Sequence, residues 1–251
     1  GVFFDLAGRV TRGYMDISYT RSSSKDDGLA YPTPDNPSQY YGPSIFDVPN
    51  RVSFSYNYSL KGLNEGKGAM GQITGGWGLS GTTIFQSGYP LTAANFNSYN
   101  PVCQNTSAGA PPCPSTANPA IGYAPGSGDY NADGNNLDYP NALSYHQLTD
   151  NKAWLTGAIP KSNLAVPTFG QGGNEKPMQF RGPNVFETNT NVYKDTPIGE
   201  HVNFQVRFEF FNLFNQVNFN NPNAVLTSPS FGRILGAGAP RIVQFSLKFL
   251  F

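Results

Sequence analysis

Val202-Asn203-Phe204-Gln205-Val206-Arg207-Phe208-Glu209-Phe210 alternates without a break. Successive side chains of an extended chain point to opposite faces, so Val202, Phe204, Val206, Phe208 and Phe210 share one side. Asn203, Gln205, Arg207 and Glu209 share the other. A helix would scatter both sets around its circumference. The stretch therefore reads as a strand with one greasy and one polar face, starting near His201.

Six further segments follow the same period. The first covers roughly 1–10, with Val2, Phe4 and Leu6 on one face, and Thr11-Arg12-Gly13 reads as a tight turn after it. The second covers about 14–24, setting Met15, Ile17 and Tyr19 against Asp16, Ser18 and Thr20. The third starts near Arg51 and opposes Val52, Phe54, Tyr56, Tyr58 and Leu60 to Ser53, Ser55, Asn57 and Ser59. The fourth is placed at about 72–88, with Trp77, Leu79, Thr83 and Phe85 on one side. The fifth, at about 184–194, carries Phe186, Thr188, Thr190 and Val192. The last ends the chain, where Val243, Phe245, Leu247, Phe249 and Phe251 alternate with Gln244, Ser246 and Lys248.

Alternation alone fits any half-buried sheet, a soluble sandwich included. Length and loop asymmetry favour a membrane. Runs of about 11 residues, at about 3.3 Å each and a tilt near 40°, span roughly 27 Å, close to the apolar band of an outer-membrane barrel. Links after the odd strands are short (11–13, about 61–71, 195–200), and those after the even strands are long (25–49, 89–183, about 215–239). Outer-membrane barrels pair short periplasmic turns with long extracellular loops, and a C-terminus in the periplasm puts every long link outside. Arg207, Glu209 and Lys248 all lie opposite the Phe/Val/Leu row, which spares them a lipid contact costing about 2–4 kcal/mol near the midplane. They read as polar groups facing a wet lumen. Trp77, Tyr56 and Tyr58 read as interfacial belt residues.

Composition agrees. Gly (28) and Pro (21) are abundant and only 13% of residues are charged, which points to turns and polar loops rather than helices. No run of about 18 apolar residues exists, so a membrane-spanning helix is excluded and a membrane barrel is not. The net charge is zero with no basic block, which leaves nucleic-acid binding without electrostatic support. His146 and His201 stand in separate regions, and neither G-x-S-x-G nor H-E-x-x-H occurs, so no enzymatic activity is expected.

The long 89–183 link holds two candidate sites. Cys103 and Cys113, the only cysteines, flank a Pro/Gly/Ser-rich stretch. They read either as a disulfide, which implies an oxidising compartment, or as two free thiols. Asp129-Tyr130-Asn131-Ala132-Asp133-Gly134-Asn135-Asn136-Leu137-Asp138 begins like a calcium loop, with oxygen ligands at alternate positions and a Gly for the sharp turn. Asp129, Asn131, Asp133, Asn135 and Asp138 are the candidate Ca²⁺ ligands. Pro140 departs from the pattern where an EF-hand would carry its bidentate Glu, and an Asx-turn loop without metal is the other reading.

Seven strands form no closed bacterial barrel of the usual even-numbered kind, and an open sheet would leave edge groups unpaired in lipid. Further strands are expected, either within 89–183 or in sequence before Gly1, since the chain opens Gly1-Val2-Phe3-Phe4 without Met or signal peptide. The fold class expected is all-β, an antiparallel transmembrane β-barrel segment with long extracellular loops. A passive porin-like barrel and a soluble β-rich surface adhesin are the competing readings.

Short motifs carry a resemblance over almost the whole chain. They are Gly42-Pro43-Ser44, Phe46-Asp47-Val48 with Arg51, Gly76-Trp77-x-Leu79-Ser80-Gly81, and Gln86-Ser87-Gly88-x-Pro90-Leu91-Thr92. Then come Arg181-Gly182-Pro183, Glu209-x-Phe211-Asn212-Leu213-Phe214-Asn215 with Asn218-Phe219, Phe231-Gly232-Arg233-Ile234, and Gln244-Phe245-x-Leu247-Lys248. In this order they resemble the C-terminal barrel region of TonB-dependent outer-membrane transporters, nearest to the Oar-like group with an N-terminal carboxypeptidase-regulatory-like domain. The resemblance implies that 1–251 is the C-terminal part of a plugged barrel of about 22 strands. It further implies that the plug, the TonB-contact segment and the N-terminal domain lie outside it, with uptake of a large scarce nutrient powered through TonB. It places the protein in the outer membrane of a Gram-negative bacterium, among lipid, the rest of the barrel and the plug. It also makes the aromatic end, Phe249 and Phe251, the signal read by the barrel-assembly machinery.

Overall fold

In the computed structural model, residues 1–27, 40–61, 68–93, 139–165, 167, 171–198, 202–226 and 228–251 are described. Seven long strands form one antiparallel sheet: β1 (Val2–Val10), β2 (Gly13–Arg21), β3 (Asn50–Ser59), β4 (Trp77–Gln86), β5 (Val185–Ile198), β6 (Val202–Phe211) and β7 (Ile242–Leu250). Each pairs with the strand next to it in the chain, so the sheet is an unbroken meander from β1 to β7. Such a meander is one arc of an up-and-down barrel wall. Strands of nine or ten residues, tilted near 40°, span about 23–25 Å, the height of an outer-membrane apolar band.

The register joins the greasy positions into continuous rows. Val10, Gly13, Tyr58, Leu79, Val192, Phe208 and Phe245 stand side by side across all seven strands. Aromatic cross-strand pairs reinforce the last two strands, with ring centroids 4.9 Å apart for Phe204–Phe249 and 5.2 Å for Phe208–Phe245. Pairs of this kind add about 0.5–1.5 kcal/mol beyond area burial. Four hydroxyls on this face pair with one another, and Tyr19 OH donates to Asn50 Oδ1. Thr83 Oγ1 lies 3.1 Å from Thr188 Oγ1, and Tyr56 OH lies 2.9 Å from Thr190 Oγ1. The second pair exists because Gly81 stands between its partners, where a Cβ would collide with the Tyr56 ring.

No second sheet or helix layer covers this face among the described residues. Phe245, Leu247 and Phe249 are each more than half exposed, as are Phe4 and Leu6 on β1. The reversed arrangement, with the apolar rows packed inside a soluble sandwich, is thereby excluded for the described part. Among the described residues no helix is long and apolar enough to cross a membrane.

Several boundaries differ from the reading of the sequence: β2 ends at Arg21 rather than 24, β4 at Gln86 rather than 88 and β6 at Phe211 rather than near 214, and three further differences have a visible cause. Residues 68–74, partly assigned to the fourth strand, form helix α1 (Gly68–Thr74), and β4 begins only at Trp77 after Gly76 turns with φ 76°. β5 runs to Ile198 rather than 194. Past Lys194 it pairs only with β6, and a strand free on one side tolerates Pro197, which has no N–H to donate. Gly13 belongs to β2, leaving Thr11-Arg12 as a two-residue hairpin.

The compact core lies outside the sheet, in the links at the other end from that hairpin. Leu91, Ala93, Ile159, Leu164 and Phe180 from the β4–β5 link pack with Leu226 and Phe231 from the β6–β7 link. Helix α2 (Asn151–Thr156), capped by the Asp150 carboxylate on the Ala153 N–H, brings Trp154 against Ala158 and Ile234. Gly232, at φ 73°, lets its chain approach Ile159 where a side chain would clash. Ala158 N–H donates to Gly232 O at 2.8 Å and Ile234 N–H to Trp154 O at 2.8 Å, so the two links share backbone bonds as well as apolar contacts. The long links thus build a folded cap on one rim.

Candidate functional site

The face opposite the apolar rows carries polar and charged side chains held in register. Arg207, Glu209 and Lys248 sit there, paired across β6 and β7 with Ser246, Gln244 and Gln205. Arg207 Nη1 is 3.7 Å from Glu209 Oε1, and its guanidinium lies over the Tyr193 ring at 5.9 Å. Next to them Asp195 Oδ1 accepts from Gln205 Nε2 at 2.7 Å, and Asn191 Nδ2 donates to Ser80 Oγ at 3.1 Å. A recess of about 350 Å³ opens on this wall, lined by Tyr14, Ser55, Ser80, Thr82, Asn189, Asn191 and Glu209 among others. Three side-chain atoms of the wall, Asn191 Oδ1, Asn203 Oδ1 and Arg207 Nε, are buried without a partner among the described residues. Such a surface can hold water or a polar ligand. Phe249 lies on the apolar face, and Phe251 is fully exposed at the end of the chain.

At the cap rim, motif pieces that are far apart in sequence converge. Asp47, only 4% exposed as a side chain, forms an ion pair with Arg181, and its other oxygen accepts from Ser24 N–H at 2.7 Å. Arg181 Nη1 also donates to Asp47 O at 3.1 Å and Gly88 O at 3.3 Å. Its backbone N–H donates to Gln147 Oε1 at 2.8 Å. One guanidinium thus ties the β2–β3 link, the exit of β4 and the approach to β5. The Asn212-Leu213-Phe214-Asn215 motif proves structural. Asn212 and Asn215 take the left-handed conformation (φ 52° and 51°) that Asn tolerates, and turn the chain out of β6. Phe214 stacks on Phe186, with centroids 6.2 Å apart.

Deeper in the cap, Glu175 is fully buried. Its Oε1 accepts the Ala93 N–H at 3.0 Å, while Oε2 meets no donor among the described residues. Burial pushes its pKa up to about 8, against the smaller opposing effect of the Ala93 bond. Tyr139 beside it is pushed up to about 12, by burial first and then by the charges of Glu175 and Tyr40. A carboxyl whose folded pKa is raised contributes stability that is full below the unfolded value near 4.5 and is lost as pH rises through about 8. The cap should therefore melt lower at pH 9 than at pH 5, losing up to about 1.4 kcal/mol per pH unit inside that window. Glu175→Gln should flatten the dependence, which thermal unfolding of the cap across pH will read.

The proposed calcium ligands Asp129, Asn131, Asp133, Asn135 and Asp138, together with Cys103, Cys113 and His201, lie outside the described residues. Among the described residues no three His, Cys, Asp or Glu gather as a metal cluster. His146 sits in the cap, where its N–H donates to Ser144 Oγ. Glu175 and the Asp47–Arg181 pair were not singled out as site residues, though both members of the pair occur in quoted motifs. The partnership spans a separation that no local pattern encodes.

A comparison with protein-family models matches the outer membrane beta barrel domain over residues 6–244. The chain belongs to that family. The match covers nearly all of the chain and agrees with the exposed apolar rows, so this barrel-domain chain resides in the outer membrane of a Gram-negative bacterium, with lipid against its greasy face. No curated protein and no solved structure matches it. In an outer-membrane barrel the long-loop rim is the extracellular one, which sets the cap outside and the Thr11-Arg12 hairpin in the periplasm.

Proposed function

We propose that this barrel domain is part of a TonB-dependent transporter that takes up a large, scarce nutrient such as a siderophore, an oligosaccharide or a peptide. The observation that carries the reading is the cap. Links from separate hairpins merge into one body with its own core, above a wall lined by neutral and charged polar groups. A passive pore needs only an open mouth, whereas capture of a dilute ligand needs a shaped surface outside and a guarded route inside. The spaced motifs quoted above support the same assignment. On this reading the polar wall faces a plug, sequence beyond these residues contacts TonB, and Phe249 and Phe251 serve the assembly machinery.

The test is uptake by cells carrying the intact gene, screened on limiting iron chelates, oligosaccharides and peptides. Uptake that stops on deletion of TonB or on dissipating the proton gradient supports the proposal. Uptake that continues undiminished under both conditions would replace it with passive, porin-like diffusion.

A further inference from the structure

We propose that helix α1 is a membrane-interface anchor, lying on the phospholipid of the periplasmic leaflet with Met70 and Ile73 among the acyl chains. The inference goes beyond the transport reading and rests only on the outer-membrane placement of the sheet.

The register fixes which side of the wall the helix occupies. Trp77, Lys194, Val206 and Leu247 form one row, and that row belongs to the apolar face. Two of its members reach the helix. Lys194 Nζ donates to Gln72 O at 2.7 Å and Gly75 O at 2.6 Å, while Trp77 Nε1 donates to Ile73 O at 3.1 Å. The C-terminal end of α1 thus hangs from side chains that leave the sheet on its lipid side, at the rim of the short links.

The helix is built for that position. Its residues, Gly-Ala-Met-Gly-Gln-Ile-Thr, carry no charge. Met70 and Ile73, three apart and hence on neighbouring sites of one surface, are 56% and 66% exposed. Five carbonyls at this end find donors: Met70 O from Thr74 Oγ1, Gly71 O from the Gly75 N–H, and Gln72, Ile73 and Gly75 O from Lys194 and Trp77. Lys194 also offsets the negative end of the helix dipole and rides over the Trp77 ring at 5.5 Å. A charge on the greasy row is tolerable at this depth because its stem stays apolar and its head stays at the interface. Lipid is the occupant because the helix with its exposed Met70 and Ile73 hangs from Lys194 and Trp77, two residues of the apolar face that already meets lipid. A short apolar helix in the interface plane beside Trp is a recognised way for protein to grip a bilayer.

Spin-label depth measurements test this on the full-length protein in phospholipid vesicles, with native cysteines replaced and folding checked by the heat-modifiable gel shift. Labels at Met70→Cys and Ile73→Cys should collide several-fold more with oxygen, relative to a water-soluble nickel chelate, than a label at Thr82→Cys on the polar wall. Adding Lys194→Met, which frees the helix end, should move both labels toward the aqueous value. A Leu247→Cys label on the lipid face calibrates the membrane itself. If 247 reads as lipid while 70 and 73 read as water, the anchor is overturned. If 247 also reads as water, the membrane placement beneath it falls as well.

Discussion

Phe208→Arg should destabilise the sheet by about 3–5 kcal/mol. The lipid-face penalty for Arg near the midplane is about 2–4 kcal/mol, and loss of the ring pair with Phe245 adds about 1 kcal/mol. The side chain has no escape sideways, since its row neighbours are Val192 and Phe245. The same strand already carries Arg207 one residue away, on the opposite face, beside Glu209 and Tyr193. Chemistry is therefore not what forbids the charge; orientation is. Thr82→Lys, exposed on the polar wall, should cost under 1 kcal/mol. Urea unfolding of the full-length barrel from phospholipid vesicles compares the two. Equal costs would mean that the greasy rows do not meet lipid.

The second large effect is expected at the cap rim. Arg181→Met leaves the Asp47 carboxylate buried with, among the described residues, the Ser24 N–H to solvate it, and frees Gly88 O as well. Breaking one side of a buried pair costs about 3–5 kcal/mol, and the partial exposure of Arg181 puts this case near the lower figure. Because one guanidinium joins three segments, the loss should appear as loosening of the whole rim. Limited proteolysis from outside intact cells should cut within 22–49 and 87–184 much faster than in the parent, while the strands stay protected. Asp47→Leu added to Arg181→Met should recover part of the stability, because the stranded charge is then gone.

How far the sequence speaks for itself varies with the range of the contact. The faces of β3 and β6 are legible in the sequence, because a period of two is a local property and cleanly sorts them, although their ends at Ser59 and Phe211 are not. The alternation of short and long links survives in the structure, with 11–12, 60–76 and 199–201 on one rim and 22–49, 87–184 and 212–241 on the other. Gln72-Ile73-Thr74 has strand-like composition, yet it ends a helix whose last carbonyls are held by Lys194, over a hundred residues away. Lys194 itself was readable, since it occupies the next same-face position after Thr190 and Val192. The cap was not. Leu91, Ile159, Phe180 and Phe231 sit in Gly/Pro-rich links without periodicity, and nothing local shows that such residues will find one another. Glu175 is one acidic residue among polar neighbours, and its burial exists only once the cap has closed.

The cap has a consequence for the order in which the molecule is made. Its core draws on residues from both sides of β5 and β6, so it cannot consolidate until those strands are threaded and paired. Contacts of such long sequence separation form late. The loops must cross the bilayer as unstructured chain and fold only after arrival, which makes completion of the cap a timestamp for finished insertion. A stalled intermediate would display the Phe180 and Trp154 neighbourhoods to external protease, and a mature molecule would hide them.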